Sequence, residues 1–368
     1  MNVISYIKKF GKYTFDERHF SDVDALIISA LSMMSFDDYV KETGEITLKD
    51  IKISKISDDI FYESPDRKFN RAQLVEMIKS KRFKNLTIKN IKRIFSSEEP
   101  NQFYAMTVVL PNDILFLAFR GTDITLVGWK EDFILASKDT IMSQVEALEY
   151  TREVVSKCDN RFYLAGHSKG GNIAFYSALN LEDKYLERLI RAYSFDGPGF
   201  KVDMKLFPAY DKAIHKLTKY RTYYNMIGAM FNQMKRYTVV YSNGLLLGGH
   251  DLYYWQINPY NGKFKLANDV SPFSKVYSAR FMSWVDSVEL NDRELATDAF
   301  FKILKDCETI YDLPTKAPAD LLNAKKVLME YPEESRSRID KIVKRLVKYL
   351  LTPISSNKKD EKNKNSIR

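Results

Sequence analysis

The run Gly166-His167-Ser168-Lys169-Gly170 restricts the fold of this chain more than any other feature of its sequence. An apolar, β-prone stretch, RFYLAG, leads into this run, and a stretch of small residues with helical character follows it. A serine flanked in this way by glycines, between a strand and a helix, is typical of a nucleophile elbow, a turn too tight for larger residues at the glycine positions. The motif therefore predicts an α/β-hydrolase fold with Ser168 as nucleophile. The alternative interpretation is a tight glycine turn that holds an inert serine.

The segments around the elbow alternate between strand and helix. FYAMTVVL and ILFLAFRG flank the turn at residues 111–113 and predict a β-hairpin. A helix is predicted over residues 142–158, a strand over 189–195, and two further strands at TYYN and TVVYS. This alternation predicts a mostly parallel central sheet flanked by helices, with the candidate site residues at the carboxyl ends of its strands.

Changes in composition divide the chain into four predicted segments. Residues 1–100 are predicted to be a helical segment that packs on the core, with a buried helix starting at Ser21 and a polar stretch that covers the sheet edge. Residues 101–270 form the α/β-hydrolase core, and residues 271–354 form a C-terminal helical appendage. Residues 355–368 have almost no apolar content and are predicted to be a disordered basic tail.

Charge and cysteine usage exclude some classes of function. The chain has 57 basic and 48 acidic residues, but the basic residues are scattered and form no nucleic-acid-binding motif, so we expect no nucleic-acid partner. Peripheral contact of Lys- and Arg-rich helices with an anionic membrane surface stays open. Cys158 and Cys307 are far apart in sequence, each in a predicted helix, which indicates neither a disulfide nor a metal site. The charged start of the chain does not resemble a signal peptide, and we expect a cytoplasmic protein.

A nucleophilic serine requires a base, and the chain has four histidines. His19 precedes the sheet and His167 is part of the elbow itself, which leaves His215 and His250. His250 lies in a glycine-rich loop, whereas His215 lies in KAIHKLTKY, which is more typical of an exposed helix face. We therefore predict His250 as the base, with a surface-loop histidine as the alternative.

The acid is predicted to be Asp196. This residue follows the strand after the elbow, in the turn FDGPGF, where its alternative role is to cap its own backbone. Asp251 is a weaker candidate, because side chains of adjacent residues such as His250 and Asp251 usually diverge.

Acyl transfer also requires backbone amides directed at the developing oxyanion. Lys169 directly follows the nucleophile, and Thr122 ends the strand of LAFRGTD, so these two residues are predicted to form the oxyanion hole. The segment 123–137 is predicted to be either a lid or a buried amphipathic helix. The residues predicted to contribute to a lid or to substrate binding are Trp129, Phe133 and His167.

Three motifs together resemble the class 3 lipase pattern. AFRGTD, GWKEDF and GHSKGGNIAFYSA correspond to a strand ending in FRG and Ser or Thr, a W-x-x-D segment and a GHSxGG elbow. SDVDALIISALSMMSFDD, FDGPGF and GHDLYYWQI are similar to stretches of an uncharacterised bacterial group of lipase-like hydrolases. The resemblance spans about residues 20–304 and implies Ser168 as nucleophile, His250 as base, and Thr122 and Lys169 at the oxyanion hole.

The chain also departs from that pattern. In class 3 lipases the acid lies one strand further on, near residues 223–226 of this chain, where no carboxylate stands. The sequence as a whole predicts a serine hydrolase that cleaves carboxylic esters of lipid-like or other acyl compounds and needs no cofactor or metal. The alternative is a catalytically degenerate scaffold or membrane-surface protein that has kept the fold.

Overall fold

The apolar runs around the elbow belong to a mixed sheet whose strands follow each other in chain order. The computed structural model describes residues 1–351 except 233, 245 and 246. In that part of the chain the sheet has nine strands. They are β1 (Glu45–Thr47), β2 (Thr87–Ser96), β3 (Asn101–Val109), β4 (Leu115–Phe119), β5 (Phe162–His167), β6 (Leu189–Phe195), β7 (Leu217–Thr222), β8 (Thr238–Val240) and β9 (Leu266–Ala267). Strands β4 to β8 pair in parallel, and the flanking strands pair antiparallel.

Helices precede, connect and follow these strands. They are α1 (Val3–Phe10), α2 (Asp22–Ser29), α3 (Asp37–Val40), α4 (Arg67–Lys79), α5 (Leu126–Ile134), α6 (Met142–Ser156), α7 (Lys169–Asn180), α8 (Asp183–Leu186), α9 (Tyr210–Ala213), α10 (Leu247–His250), α11 (Pro272–Asp286), α12 (Leu290–Ile303), α13 (Ala317–Leu322), α14 (Ala324–Met329) and α15 (Glu333–Leu351). Together with the central parallel strands, they confirm the predicted α/β-hydrolase fold and its C-terminal helical region.

The two faces of the sheet are covered by different parts of the chain. Right-handed crossovers between neighbouring parallel strands place their helices on one face. On that face α6, α7 and α9 bury a core that includes Phe119 and Leu164. On the other face α1, α2 and α4 bury a second core that includes Ile27, Leu31 and Tyr104. The N-terminal segment thus completes the layered fold, because without it one apolar face would be in contact with water.

Helix α2 begins as the sequence predicts. The Ser21 side chain accepts a hydrogen bond from the Asp24 amide, and the Asp24 carboxylate accepts one from the Ser21 amide, which is a capping box. The same carboxylate binds Arg82 at 2.6 Å in an ion pair whose two side chains are fully buried. This helix and its cap fix the N-terminal segment on the sheet.

Several local predictions are confirmed. Strands β3 and β4 form the predicted hairpin, and Asn112 and Asp113 in its turn have positive φ angles of 61° and 55°. Strand β6 has the predicted bounds, and α6 ends at Ser156, two residues before the predicted end.

Three local predictions are wrong. TYYN is not a strand of its own, because only its first residue, Thr222, belongs to β7. Most of β7 precedes TYYN and includes Lys219 and Arg221, charged residues that are atypical of a buried strand. Both side chains are nevertheless buried, and Lys219 Nζ donates to the Gly197 carbonyl at 2.8 Å. Cys158 and Cys307 both lie just beyond helix ends rather than inside helices, and both are free thiols.

The predicted boundary between the N-terminal segment and the core is also wrong in part. Strands β1 and β2 lie within residues 1–100, so that segment contributes an edge of the sheet as well as helices. Strand β2 alternates between exposed and half-buried positions over much of its length, and its three basic residues, Lys89, Lys92 and Arg93, obscure the strand pattern in the sequence. The predicted tail at residues 355–368 lies outside the described residues. None of the helices in the described residues is both long and apolar enough to span a bilayer.

Candidate functional site

Ser168 occupies a strained turn between β5 and α7. Its φ and ψ angles are 57° and −129°, a conformation that non-glycine residues rarely adopt. A Cβ atom on Gly166 would lie 2.3 Å from the Gly170 carbonyl carbon, and one on Gly170 would lie 2.2 Å from the Phe119 carbonyl oxygen. The two glycines therefore allow the turn to close. The strain places the serine at the carboxyl end of a central strand.

His250 and Asp196 form a hydrogen-bonded pair beside this turn. The Nδ1 atom of His250, at the end of α10, lies 2.7 Å from Oδ2 of Asp196, whose side chain is fully buried. The His250 ring lies 4.5 Å, between centroids, from the ring of His167, the residue before Ser168. Because Nδ1 is engaged by the carboxylate, Nε2 is the ring nitrogen that can accept a proton. His215, the alternative candidate for the base, is exposed in a short 3-10 helix just before β7.

Neighbouring polar groups hold the Asp196 carboxylate in its ionised form. Its Oδ1 atom accepts hydrogen bonds from the Thr222 amide at 3.1 Å and from the Asn225 side chain. Burial acts to raise the pKa of Asp196, but the hydrogen bond and charge of His250 and the Thr222 amide outweigh it, so that the pKa is lowered. Asn225 stands in the region where the class 3 pattern has its acid, and here it donates to Asp196 instead.

Asp251, the alternative acid, is directed elsewhere. It accepts a hydrogen bond from the Tyr253 amide at 2.8 Å. Burial and the nearby Asp66 carboxylate raise the pKa of Asp251 to about 7. A carboxyl group in that state is a poorer partner for an imidazolium than the ionised Asp196.

His167 contacts the backbone of the turn that carries His250. Its Nε2 atom donates to the His250 carbonyl at 2.8 Å, so Nε2 carries the proton of the neutral ring. Burial, followed by the nearby His250, lowers the pKa of His167 to about 3. His167 is therefore neutral near pH 7, and its contact links the elbow to the turn of His250.

Thr122 lies next to the elbow and is held by an aspartate of α5. The loop approaches closely, because a Cβ atom on Gly121 would lie 2.7 Å from the His167 carbonyl oxygen. The Thr122 hydroxyl donates to Oδ2 of Asp132, the acid of the W-x-x-D segment. Burial raises the pKa of Asp132 to about 6, although Lys169 opposes this shift. Asp132 is not among the site residues predicted from the sequence, although the W-x-x-D motif that contains it could have indicated it.

The predicted lid segment is an anchored helix in this structure. Trp129 and Phe133 of α5 are 39% and 43% exposed. The Phe133 ring lies 5.6 Å from Phe301 and 6.1 Å from Phe300 of α12, between centroids. One face of α5 thus contacts the C-terminal region, while Asp132 on the same helix contacts Thr122.

Two further observations concern metal ligands and the apolar side chains around α5 and α7. Within the described residues, no group of three or more His, Cys, Asp or Glu side chains is arranged to hold a metal ion. Met230 and Phe231 pack with Leu135 at the end of α5, whereas Phe207 packs in the core around α7. These apolar residues therefore belong to two separate clusters.

Comparisons with known proteins place the chain in a family. No curated protein matches it. Among solved structures it is similar to the crystal structure of M37 lipase, with 13% identity and a TM-score of 0.37 over 58% of this chain and 70% of that chain. The model of the lipase-like Mbeg1-like family matches residues 77–302, more than half of the chain, and confirms the lipase-like resemblance seen in the motifs. The chain therefore belongs to the Mbeg1-like family.

Proposed function

We propose that this protein is a serine hydrolase that cleaves carboxylic esters, with Ser168 as nucleophile, His250 as base and Asp196 as acid. The observation that carries the proposal is the 2.7 Å contact between His250 Nδ1 and the fully buried Asp196 carboxylate, beside a serine with φ of 57°. A strained serine, an imidazole and a buried, ionised carboxylate are the three groups that acyl-enzyme chemistry requires.

The reaction proceeds through two acyl transfers. Ser168 Oγ attacks the ester carbonyl carbon while His250 Nε2 accepts the hydroxyl proton, and Asp196 stabilises the imidazolium that forms. The amides of Thr122 and Lys169 donate to the oxyanion of the tetrahedral intermediate. When the intermediate collapses, the ester C–O bond breaks and His250 protonates the departing alcohol. Water then attacks the acyl-enzyme with the same base, which releases the carboxylic acid and restores Ser168.

The environment of the site supports an apolar acyl group. The exposed rings of Trp129 and Phe133 lie on the helix that carries Asp132, three residues before it and one residue after it, and Asp132 holds the Thr122 hydroxyl. Exposed aromatic side chains beside a polar site are suited to an acyl chain that leaves water. Contact with a membrane surface, which the basic C-terminal helices favour, stays a prediction.

Activity-based labelling tests the proposal directly. We expect a fluorophosphonate probe to label the wild type at Ser168, as mapped by peptide mass spectrometry, and to leave Ser168→Ala unlabelled. A panel of nitrophenyl esters of increasing acyl length then measures the substrate preference. A folded wild type that neither reacts with the probe nor hydrolyses any ester would support the non-catalytic scaffold instead.

A further inference from the structure

Lys169 has an unusual environment for a lysine. It is the first residue of α7, directly after Ser168, and its side chain is only 1% exposed. Lysine side chains are almost never fully buried unless they are paired. This residue occupies the variable position x of the GHSxGG elbow. Because its side chain is buried there, its charge requires a specific partner.

That partner is Glu131 of α5. Lys169 Nζ donates to Glu131 Oε2 at 2.7 Å and to both the backbone carbonyl and Oε1 of Gln102 at 2.8 Å. These three bonds satisfy all three donors of the ammonium group. Glu131 is also fully buried and accepts further bonds from the Gln102 amide, at 3.1 Å, and from the amide and hydroxyl of Ser143, at 3.0 and 2.6 Å.

The same network reaches the second proposed oxyanion donor. Gln102 Oε1, which accepts from Lys169, also accepts from the Asp123 amide at 3.3 Å, one residue after Thr122. Asp132, which accepts from the Thr122 hydroxyl, is the neighbour of Glu131 on α5. Both proposed donors are thus tied to the same turn of one helix.

We propose that the buried Lys169–Glu131 pair is a positioning device that holds the amides of Thr122 and Lys169 at a fixed separation for the oxyanion. The inference rests on the proposed function and assigns the pair no contact with substrate. A buried ion pair is often no more stabilising than apolar residues of similar volume. The gain from this pair is therefore the geometry of the site rather than the stability of the fold.

The test replaces both charges with neutral side chains of similar size, in the variant Lys169→Met with Glu131→Gln. Removing one oxyanion donor from a hydrolase lowers kcat by about 100- to 1000-fold, and we expect misplaced donors to lower kcat by about 10-fold or more. KM for a nitrophenyl ester should change by less than about 2-fold, because the pair is expected to act in the transition state. The inhibition constant of an alkyl trifluoromethyl ketone, which forms a tetrahedral oxyanion adduct, should rise by the factor by which kcat/KM falls.

The matched control is the Asp24–Arg82 ion pair, whose two side chains are also fully buried, in the variant Asp24→Asn with Arg82→Met. In the part of the chain that the structure describes, this pair shares no hydrogen-bond partner with the Lys169–Glu131 network, so losing the Asp24–Arg82 pair should lower Tm and leave kcat unchanged. If the Lys169–Glu131 double variant does not fold, Glu131→Gln alone is measured by the same criteria.

Unchanged kcat and ketone affinity in a folded variant would overturn the positioning role while labelling at Ser168 upholds the hydrolase. Absence of labelling in the wild type would instead overturn the proposed function itself.

Discussion

At the scale of single residues, Asp196 shows how a buried acid stays ionised. It has a φ of 53° and no exposed side-chain surface, so both its backbone and its charge are held at a cost. Hydrogen bonds from Thr222 and Asn225 and the contact with His250 compensate for the buried charge. An amide at residue 225 suits this role, because a second carboxylate there would repel the first.

Asp196→Asn should therefore have a large effect on catalysis. The asparagine amide can donate to His250 Nδ1, which would leave the proton of the neutral ring on Nε2, the atom that must accept the serine proton. In a serine protease the equivalent exchange lowers kcat by about 10,000-fold, and we expect a loss of that order with a nitrophenyl ester. Asp251→Asn is the control and should retain most of the activity. The opposite ranking of the two variants would assign the acid to Asp251.

At the scale of elements, the attachment of α5 bears on whether this helix can act as a mobile lid over the candidate site. Its N-terminal end pairs with the C-terminal region, where Thr125 and Thr309 form an antiparallel bridge flanked by two backbone hydrogen bonds of 2.8 and 2.9 Å. Lys130 also binds Asp298 of α12 at 2.7 Å. With Glu131 and Asp132 engaged on the other side, the helix is held on two faces.

A disulfide across the bridge tests whether α5 must move. Residues 125 and 309 form a non-hydrogen-bonded pair, for which the Cα separation is about 4.5 Å, close enough for a disulfide. We expect oxidised Thr125→Cys/Thr309→Cys, in a background of Cys158→Ser and Cys307→Ser, to keep the kcat and KM of its reduced form. A loss of ester hydrolysis that dithiothreitol restores would show that the start of α5 has to open.

At the scale of the whole molecule, the N-terminal segment is connected to the turn that carries His250. Asp66 precedes α4, Asp251 follows α10, and the charge of the Asp66 carboxylate acts to raise the pKa of Asp251. Nearby, the Tyr253 hydroxyl donates to Asn70 Oδ1, and Phe69 stacks on the Tyr253 ring at 5.1 Å between centroids. The cover of the sheet and the candidate site therefore share one polar and aromatic interface.

This interface should make stability depend on pH. The pKa of Asp251 is raised to about 7 in the folded protein, so its stabilising contribution is present at low pH and is lost as pH rises towards 7. In Asp66→Asn the like charge is absent, and the pKa of Asp251 should fall. The measured quantity is the difference in Tm between the variant and the wild type, obtained by calorimetry. We expect this difference to shift in favour of the variant by about 2 °C or more between about pH 5 and about pH 8. Asp16→Asn, at an exposed position, is the control, and a difference that does not vary with pH would contradict the role of the pair.

Local patterns in the sequence were sufficient for the elbow, the hairpin and the elements around them. The glycines at 166 and 170, the turn at 111–113 and the apolar run of β6 each express a preference that acts over a few residues, and such preferences can be identified without knowledge of the fold. The choice of Ser168 as nucleophile follows from the same local strain. The preference for His250 over His215 followed from their surroundings in the chain.

Contacts between distant segments account for what the sequence left open. Strand β7 can carry charged residues because a buried side chain such as Lys219 has a hydrogen-bond partner in the turn after β6. The contact of Asn225 with Asp196 forms only because β6 and β7 lie side by side. Glu131 and Lys169 are 38 residues apart, and nothing in either local pattern distinguishes a buried ion pair from two surface charges. Burial and pairing depend on which segments the folded chain brings together, and a side chain's environment is therefore a property of the tertiary structure rather than of its neighbours in sequence.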